Sequence, residues 1–388
     1  MDDVNKINWC LLTPEYPPTL GGVADYTRLV AMKLVESGEQ VTVLAPSRDS
    51  PPIDPGLSVE PVMGEFGLRG FWRGSRALGK ISPPRRLFLQ WVPHGYGFKS
   101  MNLLLVVWLW WRVVVRRDQL WIMAHEPFLA FENSLKQKIA ACVHRAMLWT
   151  LLRLADRAFA GNRLWIKVLN PWCPKRLEVE WLPVPSNLPV ADDGEAVRKL
   201  REKVAGPDGL VGHFGTYGAH TEGFLAEPLR LVLEKMPGVN ALLIGKNGDM
   251  FRKEFVQSFP HLENRVTATG VQAHRELSVG LSACDVMLQA YTGGISTRNT
   301  SIMSVLSHGK PSVGTKGHVT DPEWDEWGVV DLFAKEADRE MASRVCELMA
   351  DARTRLAMGQ KARNLYEKYF IPQRMAEKLL VPKQNTPA

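Results

Sequence analysis

The sequence predicts an α/β protein built from two Rossmann-like domains. Short apolar runs alternate with longer stretches of helical periodicity, as strand-helix units with a parallel sheet do. The alternation breaks once, near 183–189, and then restarts. The chain of 388 residues is also longer than one core usually supports, which leaves room for two of ordinary size.

The first element is an apolar strand over 7–12, followed by Pro14-Glu15-Tyr16-Pro17-Pro18 and by Gly21-Gly22-Val23-Ala24-Asp25-Tyr26-Thr27, which opens a helix over 24–37. A buried strand, a glycine turn and a helix start in succession place unpaired backbone N–H groups and the positive end of a helix dipole at the mouth of a parallel sheet, where anions bind. An ordinary strand-to-helix turn that uses glycine for its backbone freedom accounts for the same residues. Strands follow over 40–45, 87–91, 121–124 and 158–161, with a helix over 136–155. The apolar run over 101–115, broken by Arg112 and followed by Arg116 and Arg117, is well short of the ~20 residues a bilayer crossing takes. It reads as a buried helix of the first domain, with an interfacial helix held by aromatic and Arg anchors as the alternative.

Leu182-Pro183-Val184-Pro185-Ser186-Asn187 interrupts the pattern, and 191–195 is polar and acidic, so the domain boundary is placed at 188/189. In the second half, strands are expected over 210–214, 241–245, 266–270, 286–290 and 311–314, separated by helical stretches. The formal net charge of +7 suits an anionic partner such as a nucleotide or a phospholipid surface, and solvated surface charge explains it equally. No nucleic-acid-binding signature is present. Cys10, Cys142, Cys173, Cys284 and Cys346 lack paired spacing, which argues against a disulfide framework or a bound metal and points to a reducing cytoplasm. The acidic start Met1-Asp2-Asp3 leads straight into a strand without the basic and apolar regions of a secretory signal. The expected location is cytoplasmic, with the inner face of the membrane as the site of any peripheral membrane contact.

The opening loop with its Gly-Gly-Val resembles that of GT-B-fold glycosyltransferases, especially glycosyltransferase family 4. The resemblance continues in order through Leu210-Val211-Gly212-His213-Phe214-Gly215-Thr216, Leu242-Leu243-Ile244-Gly245, Val266-Thr267-Ala268-Thr269-Gly270, Leu281-Ser282-Ala283-Cys284-Asp285-Val286 and Leu306-Ser307-His308-Gly309-Lys310-Pro311. Tyr369-Phe370-Ile371-Pro372-Gln373-Arg374-Met375 resembles the GT-B C-terminal helix that crosses back to the first domain. The family likeness implies an acceptor-side domain over 1–188, a nucleotide-sugar donor domain over 189–365, a crossing helix and tail over 366–388, and the two domains facing across a cleft. His125-Glu126-Pro127, directly after the strand over 121–124, resembles the family's His-Glu-Pro element, whose histidine lies near the transferred sugar. An imidazole there can donate to a sugar hydroxyl or carry a proton near neutral pH. His125 and Glu126 are therefore the catalytic candidates, with Asp25 and Tyr26 on the acceptor side. A strand-end histidine satisfied by backbone is the plainer reading.

The chain departs from the family where the family binds its donor. Thr216 and Glu222 stand where family 4 has an Arg and a Lys, and Ser296 and Ser304 stand where it has its Glu-x7-Glu pair. One explanation is a decayed site and a binding or regulatory role. The other is a rebuilt site: Gly293-Gly294-Ile295-Ser296-Thr297-Arg298-Asn299-Thr300-Ser301 leads into a helix over 302–307, Ser296 or Thr297 caps it and donates to phosphate, and Arg298 supplies a fork-shaped cation. A capped surface helix with an exposed Arg fits the same residues. The loop resembles that of some bacterial proteins grouped with family 4 and associated with polysaccharide genes.

The donor and phosphate set is then Gly21, Gly22, Gly215, Thr216, Gly294, Ser296, Thr297, Arg298 and Thr300. The expected activity is retaining, metal-independent transfer from a nucleotide-diphosphate sugar to a glycan, lipid-linked or small-molecule acceptor, with no cofactor beyond that co-substrate and no nucleic-acid partner. A non-catalytic GT-B protein is the alternative, and an epimerase acting on the nucleotide sugar is a third reading.

Overall fold

The structure, a computed structural model, describes residues 7–19, 21–46, 51–131 and 134–382, with the side chains of 219–222 set aside. The chain divides into two compact units, Met1–Pro183 with Pro372–Ala388, and Val184–Ile371. The break falls inside the proline-rich 183–189 stretch.

In the first unit the elements run β1 (Asn8–Leu12), α1 (Gly22–Glu36), β2 (Val41–Leu44), β3 (Leu57–Glu60), α2 (Leu68–Gly79), β4 (Arg85–Trp91), α3 (Leu103–Val114), β5 (Gln119–Ala124), α4 (Leu135–Leu154), β6 (Arg157–Ala160), α5 (Arg163–Leu169) and β7 (Val179–Trp181). The seven strands form one parallel sheet in the order β3-β2-β1-β4-β5-β6-β7. The order reverses between β1 and β4, and ligands of open α/β sheets bind beyond the carboxyl ends of strands at such a point. Cys10 and Leu12 of β1, Leu87 and Leu89 of β4, and Leu120 and Ile122 of β5 share one face of the sheet with the inner sides of α2, α3 and α4. Trp9, Phe88, Trp121 and Phe159 point to the other face and meet edge to face or at a tilt.

Helix α3 corrects the reading of 101–115 as a buried helix. Leu105, Val106, Trp108, Leu109 and Arg112 are buried, whereas Leu103, Val107, Trp110 and Val114 are exposed. Arg112 is not a solvent anchor. It pairs with buried Asp118, which also accepts from Arg85 Nε at 2.7 Å, and burial pushes the Arg112 guanidinium pKa down.

The second unit runs α6 (Gly194–Val204), β8 (Gly209–Phe214), α7 (Ala219–Lys235), β9 (Val239–Ile244), α8 (Gly248–Ser258), β10 (Val266–Ala268), α9 (His274–Ala283), β11 (Val286–Gln289), α10 (Thr300–Ser307), β12 (Ser312–Lys316), α11 (Glu323–Trp327), β13 (Asp331–Ala334), α12 (Asp338–Ala350) and α13 (Ala352–Tyr369). Its six parallel strands lie in the order β10-β9-β8-β11-β12-β13, with the reversal between β8 and β11. After α13 the chain returns to the first unit as α14 (Pro372–Leu380), begun by a proline that needs no helical N–H partner at that position. There Lys378 Nζ donates to the Trp181 carbonyl, and Arg157 donates to the Val381 carbonyl at 2.8 Å. No helix among the described residues is long and apolar enough to cross a membrane.

Candidate functional site

At the carboxyl end of the first sheet, the segment after β1 folds back on the helix it precedes. Gly21 is the N-cap of α1 in an extended conformation, and a Glu15 carboxylate oxygen accepts from the backbone N–H of Val23 and of Ala24, each at 3.1 Å. The anion seat expected at this helix start is already taken at Val23 and Ala24: the first turn holds a carboxylate supplied by the chain itself. A Cβ on Gly21 would stand 2.3 Å from that Glu15 oxygen, so glycine here is a matter of room for the carboxylate. Behind it, Thr13 and Thr27 hydroxyls lie 3.1 Å apart, and Thr27 also donates to the Val23 carbonyl.

His125 leaves β5 half-buried, its backbone N–H donating to the Trp91 carbonyl at 3.1 Å. Its Nε2 lies 2.9 Å from the amide oxygen of Gln90, and its ring sits edge to face on Tyr26 at 4.9 Å between centroids. With the amide oxygen facing it, Nε2 carries the proton in the neutral ring. Tyr26 is buried in α1, and burial alone raises its phenol pKa. Strands β4 and β5 and helix α1 thus bring together His125, Tyr26 and Gln90 next to the strand reversal. Asp25, also in the first turn of α1, is half-buried. The Glu126 carboxylate lies 3.5 Å from His94 Nδ1, with both side chains about half exposed.

In the second unit, Gly215 follows β8 and its N–H donates to the Ile244 carbonyl at 3.1 Å. Gly245 closes over it with φ at +115°, and a Cβ there would meet the Gly215 carbonyl oxygen at 2.3 Å. Thr216 is exposed. Glu222 lies outside the described side chains. In the amide orientation that satisfies its neighbours, buried Gln289 at the end of β11 donates to the Phe214 carbonyl at 3.1 Å and accepts from the Phe214 N–H at 3.0 Å, tying β8 to β11 at the reversal. His213 is buried beside it and shares its Nδ1 proton with the Leu288 carbonyl at 2.8 Å; burial pushes its imidazole down to about 4, so it is neutral at pH 7.

The loop after β11 is a tight backbone structure. Gly294 has φ at +88°, and a Cβ on it would lie 2.2 Å from the Gly317 nitrogen. Ser296 and Thr297 are fully buried. The Thr297 N–H donates to the buried carboxylate of Asp321 at 2.8 Å, and its carbonyl accepts from the Val184 N–H at 3.1 Å. The cap expected of Ser296 or Thr297 belongs to Asn299, which precedes Thr300 at the start of α10; its side chain reaches back to accept from the Ser296 N–H at 2.9 Å and makes no side-chain cap bond to the helix. Helix α10 begins at Thr300, two residues ahead of the expected start, so the capping position falls on the residue directly before it, Asn299. Arg298 is half-buried at the bend. Ser304 is buried within α10, with its hydroxyl 2.8 Å from that of Ser186 and donating to the Thr300 carbonyl.

Glu15, Gln90, Gln289 and Asp321 were not singled out from sequence. For the glutamines a signal exists: each is the one amide inside an otherwise apolar strand, Leu87-Phe88-Leu89-Gln90-Trp91 and Val286-Met287-Leu288-Gln289-Ala290. A buried amide in a strand core needs partners, and the strand end beside a reversal supplies them.

No family model matches the chain, and no curated protein matches it. Solved structures do. A sucrose-phosphate synthase from Thermosynechococcus elongatus superposes with a TM-score of 0.74 at 16% identity, covering 96% of this chain and 97% of its own. The Anabaena protein HepE in complex with UDP-glucose gives 0.66 at 17% identity, covering 96% and 98%. An α,α-trehalose-phosphate synthase (UDP-forming) from Burkholderia vietnamiensis gives 0.66 at 12% identity, covering 97% and 98%. At these identities the likeness is one of fold, and the fold is the two-domain GT-B fold.

Proposed function

We propose that the chain is a glycosyltransferase that moves a sugar from a nucleotide-diphosphate sugar to a glycan, lipid-linked or small-molecule acceptor. The observation that carries the reading is the loop over 293–300, a glycine-built turn at the strand reversal of the second sheet, braced by Asp321 and leading Arg298 into the start of α10. The fold supports it, since HepE was solved with UDP-glucose and the trehalose-phosphate synthase is described as UDP-forming.

In this reading the bond between the anomeric carbon and the diphosphate breaks, the acceptor hydroxyl oxygen forms the new bond on that carbon, and the hydroxyl proton passes to the departing diphosphate. Arg298 and the first N–H groups of α10 carry the charge of the departing diphosphate, with Gly215, Thr216 and Gly294 allowing its close approach. Stabilisation by a fixed cation and helix dipole requires no metal ion. His125, its Nε2 proton held by Gln90 and its ring seated on Tyr26, accepts from a sugar hydroxyl through Nδ1. Retention of anomeric configuration follows the family resemblance.

A non-catalytic, nucleotide-sugar-binding role is favoured by one observation. Ser304, in the place of a family carboxylate, is turned inward onto Ser186 and offers nothing to a sugar. A panel of nucleotide sugars scored for both thermal shift and release of free nucleotide separates the readings. Transfer predicts both signals with one donor, and Arg298→Ala weakens diphosphate binding roughly tenfold to hundredfold at unchanged melting temperature. A shift without release selects the binding role, and an altered free nucleotide sugar selects an epimerase. Unchanged diphosphate affinity in Arg298→Ala removes the phosphate role of the loop.

A further inference from the structure

Helices α2, α3 and α4 form one layer. Their inner sides share a single core with the same face of the first sheet, and α2 is tied to α3 by stacking of Phe71 on Trp108 at 5.3 Å and by a 2.8 Å bond from Trp108 Nε1 to Ser75. Their outer sides therefore face the same way, away from the sheet. On α3 the outward row is Leu103, Val107, Trp110 and Val114, spaced by turns of the helix, with no polar residue in it. On α4 it is Leu135, Ile139, Cys142, Ala146 and Trp149, all exposed. On α2 it is Leu68 and Trp72, which are 72% and 60% exposed.

Single exposed apolar residues are ordinary, but three adjoining helices with apolar outward rows are not. The charged residues within the three helices have one sign. Besides Arg112, which is buried on Asp118, the three helices contain Arg69, Arg73, Arg76, Lys136, Lys138, Arg145 and Arg153 and not one Asp or Glu, and Arg116 and Arg117 lie just beyond α3. Arg76 lies over the Trp72 ring at 5.0 Å and Arg153 over the Trp149 ring at 3.4 Å, so cations sit at the level of exposed indoles. An apolar surface mixing Trp and Leu, on helices that carry Arg and Lys and no carboxylate, matches an interface whose interior is hydrocarbon and whose surface is negative.

We propose that the outer face of α2, α3 and α4 docks on an anionic lipid bilayer, seating Trp72, Val107, Trp110 and Ile139 at the acyl boundary with the Arg and Lys side chains among the headgroups. None of the candidate site residues lies on these helices, so loss of vesicle binding and loss of sugar transfer can be scored separately.

The test is flotation of the full chain with phosphatidylcholine vesicles, either alone or with about one third phosphatidylglycerol. The chain is expected to float with the anionic vesicles and about tenfold less with the neutral ones, and added salt should weaken binding. Val107→Glu/Trp110→Glu and, independently, Arg73→Glu/Arg76→Glu should each reduce binding about tenfold or more at unchanged melting temperature, because all four side chains are already exposed. Should either pair unfold, quenching of wild-type tryptophan emission by brominated lipid in anionic vesicles keeps the question open to measurement. Failure of the wild type to float or to be quenched overturns the proposal, as does full binding by folded Val107→Glu/Trp110→Glu. A lipid-independent dimer that the same pair converts to monomer overturns it in favour of a second copy of the chain.

Discussion

Replacing Gly21 by Ala should act through Glu15 alone. The residue is extended, with φ at −170°, so a methyl group strains no backbone. It would, however, stand 2.3 Å from the Glu15 oxygen that accepts from Val23 and Ala24. The carboxylate is the far end of a flexible side chain and can swing away, at the loss of two charge-assisted bonds and a favourable charge at a helix start. That loss is about 2 kcal/mol. For a unit of this size it corresponds to a fall of roughly 4–8 °C in melting temperature. Glu15→Ala removes the same interactions and should cost a similar amount. The double variant should cost no more than either single one, because once the carboxylate is gone the methyl group has lost the three atoms nearest to it. A double-mutant cycle by chemical denaturation reads this directly. Additive losses, or a stable Gly21→Ala alongside an unstable Glu15→Ala, would refute the account of this turn as a seat for an internal anion.

His125→Ala should slow transfer about hundredfold or more while leaving nucleotide affinity nearly unchanged, read by turnover and by calorimetric titration with the nucleotide diphosphate; equal losses in both would place the ring in the donor pocket or the core. Gly294→Ala should destabilise the second unit by at least about 2 kcal/mol in thermal denaturation, because the added methyl meets the Gly317 backbone, which cannot swing aside, at a φ that side chains avoid. Burial holds both His213 and His308 near 4, below the usual 6.5. The unfolded chain takes up these protons first, so the stabilisation is complete above about pH 6.5 and is lost as pH falls toward 4, at about 1.4 kcal/mol per pH unit for each imidazole. Equal urea stability of the second unit at pH 7 and pH 5 would contradict this.

The central strands of both sheets were legible because they are buried on two faces and read as continuous apolar runs, Leu87-Phe88-Leu89 and Leu242-Leu243-Ile244 among them. Strands β3, β7 and β13 were missed. Each is an edge strand with mixed, partly exposed residues, Leu57-Ser58-Val59-Glu60 or Asp331-Leu332-Phe333-Ala334, whose pairing is set by the neighbour rather than by its own pattern. Among the candidate site residues, His125 was singled out by its place after an apolar strand. Its partners were not: Gln90 and Tyr26 come from distant strands and helices, and only the sheet order brings them to it. The helix start at Thr300 was misjudged because Ser296, Thr297 and Asn299 are all good caps by type, and which one serves depends on where the turn from Gly294 releases the chain.

The loop over 293–300 is not self-supporting. Its Thr297 carbonyl is held by the N–H of Val184, the residue with which the chain enters the second unit, and two residues on Ser186 reaches both Ser304 and the Tyr366 hydroxyl. A transplant of this loop onto another sheet would therefore need 184–188 carried along with it, and a fragment cut at the 188/189 boundary suggested by composition would discard its own scaffold. Deletions among the few residues after Val184 should reach the loop from more than a hundred residues away in sequence.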